Sequence, residues 1–201
     1  MTTASSPDCG LIIFLRFPEW GRVKTRLAET VGPDKALMIY KELSEITLRF
    51  ASRLPVPAYL FYENELPAEK ERIPSFHYLL QIEGDLGEKI IHALKYVRER
   101  HQKIIIIGSD CPELMPSDII TTIDLLDQVN FVLGPSEDGG YYLLGCREIV
   151  PEIFESISWS TSSVLRETVA KIESKGLSYS LLRTLTDIDT EEDWVRYKSQ
   201  T

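Results

Sequence analysis

Lys103-Ile104-Ile105-Ile106-Ile107-Gly108-Ser109-Asp110-Cys111-Pro112 is the stretch that most limits what this chain can become. Four consecutive isoleucines are too few to cross a membrane and too continuous for a strand with one wet face. They predict a central strand buried on both sides, the pattern of a parallel sheet covered by helices. Gly108 ends that strand, and Pro112 cannot continue a central ladder. Asp110 therefore lies just past the strand's carboxyl end, on the edge where open α/β sheets bind ligands. Its carboxylate is a candidate metal ligand or catalytic group. Alone, an aspartate there is better explained as the cap of a turn or of the next helix, and only the stretches that follow reverse that order.

Cys9–Leu15 is a second unbroken apolar run and predicts a second buried strand. A loop with Pro18 and Gly21 as breakers follows, carrying Arg16, Arg22, Lys24 and Arg26. Four cations within 11 residues at the end of a first strand suit phosphate. Lys24 and Arg26 would share one side of an extended loop. No Gly-x-x-x-x-Gly-Lys-Ser/Thr sequence occurs, so the loop is not a Walker motif.

Ala36, Tyr40, Leu43, Thr47, Phe50 and Leu54 recur at helical spacing and predict a helix over 34–54, ended by Pro55 and Pro57. Strands are expected over 56–62 and 76–82. Glu83-Gly84-Asp85-Leu86-Gly87-Glu88 reads as a tight turn opening a helix with Ile90, Ile91, Leu94 and Val97 inward. Pro116 starts a helix reaching about Gln128. Residues 130–135 and 141–146 read as strands, with Glu137-Asp138-Gly139-Gly140 between them either a hairpin turn or a ligand loop. Trp159–Ser163 opens another helix, 179–183 is a last strand, and Thr190 with Asp193 forms a capping box for a final helix. The box leaves Asp187 and Asp189 unexplained. Alternating strands and helices without a linker or repeat predict one α/β domain over 1–201, a mainly parallel, twisted, Rossmann-like sheet with helices on both faces. A short antiparallel element near 140–146 interrupts it.

The net charge of −9 and a pI near 4.9 argue against a nucleic-acid or anionic-membrane surface. Cys9, Cys111 and Cys146 are odd in number and widely spaced, as reduced thiols are. Met1–Asp8 lacks the order of a signal peptide, and no apolar run approaches membrane length. The expectation is a soluble cytoplasmic monomer or small homo-oligomer.

On a parallel sheet, the basic loop and the turns at Asp110, Asp138 and Asp187/Asp189 converge on one edge. Cations beside carboxylates describe a site for a diphosphate and a divalent ion. Five segments carry a family resemblance: Gly21–Leu27, Gly84–Glu88, Gly108–Pro112, Glu137–Tyr142 and Asp187–Asp193. In this order they resemble the glycosyltransferase-A-type nucleotide-diphospho-sugar transferase superfamily, and within it a bacterial family of glycosyltransferase-like proteins of unknown function. Lys24-Thr25-Arg26-Leu27 is also similar to phospholactate guanylyltransferases. The Asp-Ile-Asp-Thr-x-Glu-Asp ending is similar to cytidylyl- and molybdopterin guanylyltransferases.

The resemblance implies a nucleotide or sugar-nucleotide substrate, an unknown acceptor, and Mg²⁺ or Mn²⁺. Lys24 and Arg26, with Arg16, would bind phosphates. Asp110 and Asp189 would hold the metal, and Gly87 and Glu88 would lie near base or ribose. Asp138, with the Gly139-Gly140 backbone, would face the transferred group, making Asp110, Asp138 and Asp189 the catalytic set. Glycosyltransferases of this fold carry an Asp-x-Asp pair, whereas here Cys111-Pro112 follows a single Asp110. The expected activity is glycosyl transfer. Nucleotidyl transfer with release of pyrophosphate and non-catalytic nucleotide binding are the alternatives.

Overall fold

In the computed structural model, which describes residues 8–200, seven strands form one sheet in the order β3-β2-β1-β4-β6-β5-β7. They are β1 (Cys9–Arg16), β2 (Ala58–Glu63), β3 (Phe76–Leu80), β4 (Lys103–Ile107), β5 (Phe131–Pro135), β6 (Tyr141–Cys146) and β7 (Tyr179–Leu181). All run parallel except β6, which pairs antiparallel with both β4 and β5. Residues 1–7, including most of the polar opening stretch, lie outside the described residues.

The isoleucine strand behaves as its composition demands. Ile105 and Ile107 face a core shared with Leu11, Ile13 and Leu15, whereas Ile104 and Ile106 face a second core with Ile12. Helix α2 (Pro33–Ala51) and helix α4 (Pro116–Leu125) cover the first face; helix α3 (Leu86–Arg98) and helix α5 (Val164–Ser174) cover the second. A third cluster, with Leu27, Ile39, Leu43, Ile188 and Trp194, joins helix α1 (Thr25–Val31) and helix α6 (Glu191–Gln200) to α2. Full burial of a leucine or isoleucine side chain contributes about 1.5–3 kcal/mol, so both sheet faces hold the edge rigidly.

Three readings of the sequence are corrected. The loop after β1 contains α1, a helix of seven residues whose single buried side chain, Leu27, is too little to show a period. Helix α2 stops at Ala51, so Leu54 packs from the turn beyond it. The strand expected over 179–183 ends at Leu181, because Arg183 leaves the ladder to pair with Asp118. Among the described residues, no helix is long and apolar enough to cross a membrane.

Candidate functional site

Because six strands are parallel, the turns after β1, β4 and β5 and the segment after β7 all open on one edge. Tyr40 of α2 fixes the end of β1: its hydroxyl accepts from Arg16 N at 2.7 Å and donates to Arg16 O at 2.8 Å. The chain then turns through Lys24, whose φ of 49° is left-handed, a conformation few non-glycine residues adopt. That turn and the anchored Leu27 direct Lys24 inward, where its side chain is only 6% exposed.

The Lys24 ammonium donates to Ile188 O at 2.6 Å and lies 3.0 Å from Asp110 Oδ1 and 3.3 Å from Asp189 Oδ1. Burial alone would lower its pKa, but the two carboxylates hold it above the usual lysine value. Asp110 Oδ1 meets the ammonium at ion-pair distance without hydrogen-bond geometry, and this buried oxygen has no hydrogen-bond partner. Arg26 Nη1 reaches Asp189 Oδ2 at 3.7 Å from α1. Lys24 and Arg26 thus converge from a left-handed turn and a helix, not along one side of an extended loop. Arg16 pairs with Glu63 at 3.0 Å, and Lys89 takes the other Glu63 oxygen at 2.8 Å.

The acidic turns are locked to one another. Ile188 N donates to Asp110 O at 2.9 Å, joining the turn after β4 to the segment after β7. Arg183 grips Asp118 through two bonds, 2.9 and 3.1 Å, and Glu113 O through a third, so the same segment is tied to α4. Thr190 caps α6, its Oγ1 accepting from Asp193 N while Asp193 Oδ2 accepts from Thr190 N, and this capping box holds Asp189 at the helix entry. Glu137-Asp138-Gly139-Gly140 is a hairpin loop between β5 and β6, and it also faces the cleft. Asp138 Oδ1 accepts from Ser136 Oγ at 2.5 Å and from Gly140 N at 2.9 Å. Gly139 has φ +91°, and a Cβ there would stand 2.2 Å from Ser162 O. Only glycine closes this loop against the start of α5.

Asp187 sits among Asp110, Asp138 and Asp189. Its pKa is pushed up to about 7, first by burial, then by Asp110 and Asp138, with Lys24 opposing. Burial disfavours the charged carboxylate, and the neighbouring carboxylates add to that more than Lys24 relieves it.

Two adjoining cavities of about 440 and 500 Å³ occupy the edge. Arg16, Lys24, Arg26, Asp110, Asp138, Gly140, Asp187 and Asp189 line the first. Gly139 does not line it. Gly87 and Glu88 line neither. Glu88 closes a capping box with Asp85, and a Cβ on Gly87 would stand 2.3 Å from Phe154 O, so local architecture accounts for both. Cys111 is buried and its thiol pKa is raised by burial, which suits a packing residue. The second cavity adds Glu63, Gln81 and Lys89 to an apolar wall containing Phe14, Tyr141 and Trp159. Glu63, Gln81 and Lys89 stand in no motif that signals a site in the sequence, although Glu63 ends β2 and Gln81 follows β3. The rule that selected Asp110 selects them too.

Among the described residues, no three metal-ligating side chains form a ready-made cage. The donor set still suits Mg²⁺ or Mn²⁺, which bind through one or two carboxylates together with substrate phosphates. Asp110 and Asp189 supply two, their Oδ1 atoms 3.0 and 3.3 Å from the same ammonium.

A family model described as "Uncharacterized protein conserved in bacteria (DUF2064)" matches residues 47–161. The chain belongs to this family. The DUF2064 chain is 31% identical to a candidate nucleotide-diphospho-sugar transferase of Desulfovibrio desulfuricans G20, with a TM-score of 0.84 over 91% of this chain and 83% of that one. It shares its fold with Rv0371c of Mycobacterium tuberculosis H37Rv, solved with manganese, at 15% identity and TM-score 0.62 over 96% and 100% of the two chains. The inositol-1-phosphate CTP transferase of T. maritima matches at 14% identity and TM-score 0.62, over 94% and 92%. No curated protein matches the chain. The fold is that of the nucleotide-diphospho-sugar transferases, as the five sequence segments implied.

Proposed function

We propose that this protein is a nucleotidyltransferase, joining a nucleoside triphosphate to a phosphorylated acceptor with release of pyrophosphate. The observation that carries the reading is the buried Lys24 ammonium between Asp110 and Asp189, in a cleft that also holds Arg16 and Arg26. A triphosphate carries more charge than a sugar diphosphate, and the three cations together with a divalent ion held by Asp110 and Asp189 would supply the opposing charge. In the step, an acceptor oxygen bonds to the α-phosphorus while the bond from that phosphorus to the bridging oxygen breaks. Pyrophosphate leaves with the electron pair, stabilised by Lys24, Arg16 and Arg26. Asp110 and Asp189 would hold Mg²⁺ or Mn²⁺, which when bound would offset phosphate charge. The apolar wall, with Lys89 paired to Glu63, suits an uncharged base and ribose in the second cavity. The T. maritima neighbour's name describes this reaction class, and the manganese bound by Rv0371c accords with a divalent ion.

Glycosyl transfer from a sugar nucleotide is the second reading, favoured by the name of the D. desulfuricans relative. The single Asp110 before buried Cys111 weighs against it, since the turn after β4 carries no Asp-x-Asp pair. A thermal-shift screen of triphosphates and sugar nucleotides with each metal tests the choice, because a ligand binding only the native state raises its Tm. Triphosphates should give the largest shifts. Larger shifts with sugar nucleotides would install the second reading, and no shift with either would remove both.

A further inference from the structure

We infer that Lys24 and the divalent ion take the same position, so that the protein admits its metal only when a polyphosphate draws Lys24 away. The inference rests on the reading of the cleft as a nucleotide site and adds an order of binding to it. Lys24 Nζ lies between Asp110 Oδ1 and Asp189 Oδ1 at 3.0 and 3.3 Å, the two carboxylates that would hold the metal. Its third contact, 2.6 Å to Ile188 O, leaves the ammonium with three oxygen neighbours and a side chain only 6% exposed. The position is built by the backbone: Lys24 accepts a left-handed φ of 49°, and Ile188 N bonds Asp110 O at 2.9 Å so that the two carboxylate turns move together. A monovalent and a divalent cation cannot both sit between the same two carboxylate oxygens, because at that separation their repulsion adds to steric exclusion. The lysine stem has four rotatable methylenes and can swing its ammonium to phosphate oxygens in the cleft lined by Arg16 and Arg26. Polyphosphate and metal therefore enter together, each lowering the cost of the other.

The test measures Mn²⁺ alone, by electron paramagnetic resonance of the free ion, with no nucleotide present. Wild-type protein should bind Mn²⁺ weakly. Lys24→Met should bind at least tenfold more tightly, and Lys24→Met with Asp110→Asn should lose that gain. Lys24→Gln, which keeps a donor toward Ile188 O, serves if the methionine variant does not fold. Adding inorganic tripolyphosphate should tighten Mn²⁺ binding to the wild type beyond what tripolyphosphate binds by itself, and not to Lys24→Met. A folded Lys24 variant with the wild-type Mn²⁺ affinity overturns the inference. Because the metal-only comparison involves no nucleotide, it can succeed where the nucleotidyltransferase reading fails, and the reverse.

Discussion

Replacing Asp187 with asparagine should stabilise the metal-free protein, and by an amount that grows with pH. In the native state the Asp187 pKa is pushed up from 3.8 to about 7 by burial and by Asp110 and Asp138. The unfolded chain releases this proton near pH 4, whereas the folded chain keeps it until near pH 7. Between those values the native state binds more protons than the unfolded state, so stability falls as pH rises. A shift of about three units corresponds to about 4 kcal/mol once both states are ionised, and water reaching the half-buried carboxyl brings this toward about 2 kcal/mol. The asparagine side chain carries no charge at any pH and escapes the penalty. Thermal unfolding in EDTA between pH 4 and 8 should show the variant and wild type nearly equal at pH 4. The variant should then lead by roughly 4–16 °C at pH 8, taking about 2–4 °C per kcal/mol for a chain of this size. A gap that stays constant across the range, or a variant less stable than wild type at pH 8, would refute the burial and carboxylate crowding that raise the Asp187 pKa.

Asp110→Asn should remove the metal dependence of nucleotide binding while changing stability by about 1 kcal/mol or less, since Lys24 keeps Asp189 and Ile188 O; calorimetric titration with and without EDTA and a urea midpoint check both halves. If Asp110→Asn unfolds instead, the aspartate is a structural cap. Gly139→Ala should destabilise by about 1–3 kcal/mol, because φ is +91° and the new Cβ would meet Ser162 O. A urea midpoint equal to wild type would show that the loop relaxes freely.

Much of the architecture was legible because unbroken apolar runs have few explanations. Ile104–Ile107 and Cys9–Leu15 could only be buried strands, and the parallel sheet they imply brings Lys24, Asp110 and Asp189 together across most of the chain. Helix α1 was hidden because seven residues with one buried leucine leave no period to read. Glycines mislead for a related reason. Gly87 and Gly139 mark close approach, but a sequence does not say of what, and here the partners are the carbonyls of Phe154 and Ser162. The prominence of Asp187 was also out of reach, since its raised pKa arises first from burial and then from Asp110 and Asp138, 77 and 49 residues away in sequence. Its own segment offered Asp189 on equal terms.

The central claim is that this cleft moves a nucleotidyl group and expels pyrophosphate. The direct measurement is to incubate the protein with the four nucleoside triphosphates, Mg²⁺ and a pool of phosphorylated metabolites, and to follow pyrophosphate with a coupled assay. The account predicts pyrophosphate release that requires one triphosphate and one phosphorylated acceptor, and that vanishes in Lys24→Ala. Nucleoside diphosphate freed from a sugar nucleotide, with no pyrophosphate from any triphosphate, would contradict it.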